Sequence, residues 1–188
     1  MRFVVIYDAC VLYPAPLRDL LVRLATTGLF AARWSHQIHD EWMRNVQAKR
    51  PDLDASQLER TRALMNDAVA DCLVTGHEPL IPALELPDSD DRHVLAAAIV
   101  AHAQMLVTFN QRDFPRETLE PFGIEAIHPD RFIECQMDLH EPAVIHAARL
   151  QRQSLKNPPR TVGEFLDTLA AQGLPVTADR LRAFQNLI

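Results

Sequence analysis

The stretch Phe3-Val4-Val5-Ile6-Tyr7-Asp8 decides the reading of the chain. Its apolar run predicts a short strand buried on both faces, closed by a carboxylate. Such a strand belongs in a parallel sheet with helices on both sides, and the following residues supply them. Pro14 and Pro16 turn the chain. Leu17, Leu20, Leu21 and Leu24 then recur at helical spacing, and Gly28 ends that helix. Residues 29–34 read as a second strand. Ser35 is the expected N-cap of a helix running through Glu41 to about residue 48, and Pro51 breaks it. A longer amphipathic helix is expected over 56–73. The proline-rich segment 76–87 predicts a short strand near Leu80-Ile81. A helix over 94–103 and strands over 105–109 and 124–127 complete an α/β sandwich, three layers deep, around a mostly parallel sheet.

Beyond residue 137 the pattern turns wholly helical. Pro142 suits the first turn of a helix reaching about residue 153, and Pro158-Pro159 reads as a linker. Thr161 and Glu164 match a capping box, Gly173 ends that helix, and Thr177 is the expected cap of a last one. The division expected is therefore a domain over 1–137 and a C-terminal helical extension over 138–188.

With 48% apolar residues, the 188-residue chain has enough hydrophobic surface for a core without covalent staples. Cys10, Cys72 and Cys135 form no CxxC pair, which argues against a disulfide framework and for a reducing compartment. The N-terminal apolar run is too short for a signal peptide, and no stretch nears the ~18 apolar residues of a membrane span. A soluble cytoplasmic protein is the expectation, with no membrane partner.

The formal charge of −6 counts against a nucleic-acid partner only in part. Carboxylates that hold divalent cations are neutralised in use. Arg149, Arg152, Lys156 and Arg160 also fall in a window free of acids. The spacing of Arg149, Arg152 and Lys156 places them on one helix face, where they are expected to guide a phosphate backbone or simply to face solvent.

Asp8 ends the first strand, Asp113 follows the strand over 105–109, and Asp91 opens the helix before that strand. In open α/β sheets the functional crevice lies at the carboxyl ends of the strands, so the three are expected to converge there. Glu41, one turn into its helix, can point to the same place. Four carboxylates brought together repel one another and resist desolvation unless cations neutralise them. All-oxygen donors select Mg²⁺ or Mn²⁺ over zinc. Two such ions can activate a water and stabilise the leaving oxygen of a phosphodiester. Capping alone accounts for one acid of the Asp88, Asp90, Asp91 group and not for three.

Four segments carry a resemblance to the PIN-domain nucleases, and within them to the VapC-like toxins of bacterial toxin–antitoxin pairs. They are YDACVLYPAPLRDLL (7–21), WSHQIHDEW (34–42), LPDSDDRHVLAAAI (86–99) and LVTFNQRDF (106–114). The resemblance covers about residues 2–135, and the helical tail is similar to the extension of a VapC-like subgroup. It implies a metal-dependent endoribonuclease that is restrained by a cognate, DNA-binding antitoxin, and it allows a homodimer. Asp8, Glu41, Asp91 and Asp113 match the family's acids and metal ligands, Asp91 by standing seven residues before the small residue Ala98. Thr108 and Asn110 match the polar residues beside the metals. Many relatives have Asp where this chain has Asn110, which leaves a second metal site open. Asp90 is taken as the helper of Asp91.

His93 is a candidate substrate contact. Arg18 is another, as a phosphate-holding group; its bland alternative is an ion pair with Asp19 or Asp40. His36 and His39 read as a solvated helix face sooner than as ligands, and Trp34 and Trp42 as core. His140-Glu141 lacks the second His of a zincin motif. Two other functions compete. A haloacid-dehalogenase-like phosphatase needs a second acid where Cys10 stands and an acidic pair after Thr108, whereas Asp90-Asp91 comes before it. A non-catalytic RNA- or protein-binding module would not need all four acids.

Overall fold

A computed structural model describes residues 3–188. Strand β1 (Val4–Tyr7) is followed by helices α1 (Ala9–Leu12) and α2 (Ala15–Ala25), strand β2 (Ala31–Ser35), and helices α3 (His36–Lys49) and α4 (Ala55–Ala68). Then come β3 (Leu73–Val74), α5 (Arg92–Val100), β4 (Met105–Val107), α6 (Arg116–Leu119) and β5 (Glu125–Ile127). Three further helices, α7 (Pro129–Ser154), α8 (Val162–Ala171) and α9 (Pro175–Arg182), end the chain. The strands form one sheet in the order β3-β2-β1-β4-β5, every neighbouring pair parallel. With β1 at its centre, Val5, Ile6 and Tyr7 are wholly buried, as their continuous apolar run requires.

The sheet departs from expectation at one edge. Leu80-Ile81 is not a strand but part of a 3₁₀ helix over Glu78–Ala83, and the third strand is Leu73–Val74. Pro79 and Pro82 lack the N–H that a ladder needs, whereas the short 3₁₀ turn tolerates them. The preceding helix stops at Ala68 because Val69 turns extended, which frees Leu73 and Val74 to pair with Trp34 and Ser35. The expected helix to residue 73 was thus too long.

Behind the sheet, Tyr7, Phe30 and Phe132 meet edge to face, and Tyr7 stacks on Trp34. Phe132 comes from α7, so that helix begins within the sheet's own core and crosses residue 137 without a break in the chain of helical turns. It kinks at His140 (φ −156°, ψ 75°). Pro142 removes a helical N–H, and the His140 Nδ1 accepts from Ala143 N–H at 3.2 Å, restarting the helix.

The tail is fastened by a carboxylate. Asp130, buried in α7, accepts the backbone N–H groups of Val176 and Thr177 at 2.9 and 2.8 Å. It serves the first turn of α9, a position predicted for Thr177, which instead lies within the helix. Thr161 and Glu164 make both bonds of the capping box that starts α8. Among the described residues no helix is long and apolar enough to cross a membrane.

Candidate active site

The sheet register creates the centre of the site. Tyr7 lies opposite Val107, so the next residues, Asp8 and Thr108, leave adjacent strands side by side. Asp8 N–H still donates to Val107 O at 3.1 Å and Thr108 N–H to Ile127 O at 3.0 Å. Beyond that rung the chain turns away at both positions, and their side chains are buried together.

The Thr108 hydroxyl donates to Asp8 Oδ2 at 2.7 Å, and the Cys10 thiol donates to the same oxygen at 3.0 Å. Burial raises the Asp8 carboxyl above its usual range; these two donors oppose the rise, and the charge of Glu41 adds to it. Burial and then Asp8 push the Cys10 thiol far above its ordinary range, so it remains a protonated donor. Cys10 is the residue that sequence reasoning missed, having been weighed only as an absent acid. The one available signal was a small polar side chain two residues past the strand-end Asp.

Ser35 accepts from Ile38 N–H and starts α3 directly after β2, which brings Glu41 to the same end of the sheet. Glu41 Oε2 stands 3.0 Å from His93 Nε2, so His93 is a partner of an acid before it is a contact for any substrate. Its other ring nitrogen is buried without a hydrogen-bond partner. Asp91 sits just before α5, 9% exposed and without a side-chain capping bond. Burial, followed by the charges of Asp8, Asp88, Glu41 and Asp113, lifts its carboxyl to about 7. Asp113, half-buried in a 3₁₀ turn after β4, thus acts on the same point as the other three.

Asp88 and Asp90, the acids just before Asp91, are both exposed. Asp88 Oδ1 accepts the Asp90 N–H at 2.9 Å, and the charge of Asp88 is among those that raise Asp91. Asn110 is also exposed, and its backbone N–H, not its side chain, serves the site by donating to Thr108 Oγ1 at 2.9 Å.

Arg18 has a different place from either expectation. Its guanidinium donates to Leu12 O at 2.6 Å and Tyr13 O at 3.2 Å, capping α1, and lies 4.4 Å from the Trp42 ring centre. Burial lowers its pKa to about 10. His39 is not solvated but wholly buried. Trp42 Nε1–H donates to His39 Nδ1, which leaves Nε2–H to donate to Asn66 Oδ1, an oxygen that also accepts from Trp34 Nε1–H. Arg152 is likewise committed, to the carbonyls of Ile188 and Arg160, and Lys156 lies past the end of α7. The expected basic face is therefore not a continuous one.

The four acids share an electric field without forming a closed cage. Among the described residues no three His, Cys, Asp or Glu side chains group closely enough to hold one metal ion. No Lys or Arg among them pairs with Asp8, Asp91 or Asp113 either. An apolar groove of about 500 Å³ between α2, α4 and the tail is lined by none of these acids.

A family model for the PIN domain matches residues 4–112, more than half of the chain. The chain belongs to the PIN-domain family. A second model, of the VapC50 C-terminal domain, matches residues 129–183 of this PIN protein, the region of α7 to α9. Over 111 residues the chain is 38% identical to a protein of Mycobacterium tuberculosis named "Putative ribonuclease VapC50". That match spans 59% of this chain and 65% of the relative, a little under two thirds of its length. No solved structure matches. The phosphatase alternative required a second acid two residues after Asp8, and that position holds a thiol donor instead.

Proposed function

We propose that this PIN-domain protein is a divalent-metal-dependent endoribonuclease, with Asp8, Glu41, Asp91 and Asp113 as its catalytic acids. The observation that carries the reading is Asp91, held near neutrality by burial and by its acidic neighbours, with no Lys or Arg paired to it among the described residues. A cluster that repels itself and has no protein cation fits a bound hard cation. Mg²⁺ or Mn²⁺ suits the oxygen donors, and Mg²⁺ keeps several waters and needs only one or two carboxylates, so the lack of a closed cage does not disqualify the set. When bound, the cation supplies charge neutralisation at the acids and polarisation of the phosphodiester oxygens.

The remaining work falls to the chain's own groups. Asp8 is fixed through Oδ2 by Thr108 and Cys10 and would hold the cation with its other oxygen. Asp91 and Asp113 would share that charge. Glu41 keeps one oxygen on His93 and offers the other to the proton of the attacking water. The relative's name, ribonuclease, supports RNA as the substrate. Its VapC designation, with the tail match, supports a toxin held in check by an antitoxin protein in the cytoplasm. Residues 138–188 are read as a helical extension of the PIN domain.

The test is to incubate the protein with structured RNA, single-stranded DNA and a chromogenic phosphate ester, each with Mn²⁺ or with chelator. RNA cutting that chelator and Asp8→Asn both abolish supports the reading. Hydrolysis of the ester alone would move the protein to phosphatase chemistry, and no hydrolysis at all to a binding module.

A further inference from the structure

Two donors share one oxygen of Asp8, and each also accepts a hydrogen bond from a backbone amide. Phe109 N–H donates to Cys10 Sγ at 3.3 Å, and Asn110 N–H donates to Thr108 Oγ1 at 2.9 Å. Each backbone amide takes an acceptor position of its partner, an arrangement that turns the thiol and hydroxyl hydrogens toward Asp8 Oδ2. Sulfur and hydroxyl also stand 3.4 Å apart, closing a compact unit of Asp8, Cys10 and Thr108. Oδ1 receives no side-chain donor among the described residues.

We propose that Cys10 is a positioning residue for the PIN site: its S–H, aimed by Phe109 N–H, pins Asp8 Oδ2 and reserves Oδ1 for the divalent cation. The proposal rests on the metal-dependent reading above. A serine at this position would keep a donor, an alanine would remove it, and neither adds bulk. Groups that orient a metal-binding carboxylate commonly account for ~10–100-fold in metal affinity.

The test combines Mn²⁺ titration by calorimetry with infrared spectroscopy of the metal-free protein. Cys10→Ala is expected to weaken Mn²⁺ binding about tenfold or more, and Cys10→Ser to restore it to within about threefold of the wild type. The S–H band lost in Cys10→Ser should lie at the low frequency of a strongly hydrogen-bonded thiol in the wild type and move up in Asp8→Asn. Thermal melts check that the variants fold. Equal Mn²⁺ affinity in wild type and Cys10→Ala overturns the proposal, as does Cys10→Ser binding no better than Cys10→Ala. An S–H band indifferent to Asp8→Asn overturns it without reference to metal. A wild type that binds Mn²⁺ in this Cys10-dependent way yet cuts no RNA upholds Cys10 and refutes the nuclease reading.

Discussion

The ring of Phe109 occupies the space beside Gly173, so that a Cβ on the glycine would lie 2.9 Å from Phe109 Cε1. Gly173 has φ +85° and closes α8 with a paired set of bonds, Gly173 N–H to Ala170 O and Leu174 N–H to Leu169 O. The same phenylalanine lends its N–H to Cys10. The helical tail therefore packs directly on the strand end that supports Asp8.

Gly173→Ala is expected to cost about 1–3 kcal/mol, from the left-handed backbone and the crowded ring together. Urea unfolding measures it. Adding Phe109→Leu should recover part of the loss, because only the crowding is relieved. A loss below ~0.5 kcal/mol would mean that the contact is slack.

Stability of the metal-free protein should fall as pH rises. Burial and its acidic neighbours raise the folded Asp91 carboxyl to about 7 from an ordinary value of 3.8, so the folded state holds the extra proton across that window. One such group makes stability greatest below the window and lowers it by up to ~1.4 kcal/mol per pH unit through it. Melting in chelator from pH 4.5 to 8 checks this. Asp91→Asn should flatten the slope and raise the melting temperature at pH 8; an unchanged slope would show that Asp91 is not the group responsible.

His39 has the opposite sign. Burial depresses it to about 4, so its contribution is whole above the ordinary histidine range near 6.5 and is lost as pH falls from there toward 4. Asn66→Ala would strand the buried N–H groups of His39 and Trp34 at once, for an expected loss of ~2–4 kcal/mol. Tryptophan fluorescence during unfolding reads the effect directly.

Asp130→Ala removes the acceptor for two N–H groups at the start of α9 and should cost ~1–3 kcal/mol. Hydrogen exchange should quicken in α9 and much less in the sheet. Uniform acceleration across the chain would instead show that tail and sheet open as one cooperative unit.

The parallel sheet was legible because periodicity is a local property: Phe3–Tyr7 and the Ala-rich run before Val100 declare themselves within a few residues. The edge strand was not, because Leu73 and Val74 are too few to show a period, while the prolines that follow attract attention to the wrong segment. Site residues divided along the same line. Asp8, Asp91 and Asp113 stood out by their positions at element ends, Glu41 by its place one turn into α3, and Thr108 by the family pattern. Cys10 depends on Thr108 and Phe109, nearly a hundred residues distant, which no spacing encodes, and at Asn110 no spacing tells a backbone N–H from a side chain. Arg18 and His39 misled for a related reason. Each looks like a surface group in sequence, yet the neighbouring Trp42 supplies a π face to one and an indole N–H to the other.

The central claim is that the acids at the carboxyl end of this PIN sheet are a metal-dependent nuclease site. Single-turnover cleavage of end-labelled RNA in Mn²⁺, comparing wild type with Asp91→Asn prepared identically, tests it most directly. The account predicts cleavage by the wild type that stops in chelator, and a loss of at least about a hundredfold in the variant, on the order of a removed transition-state stabilising group. Equal cleavage by the two proteins, or cleavage indifferent to chelator, would contradict it.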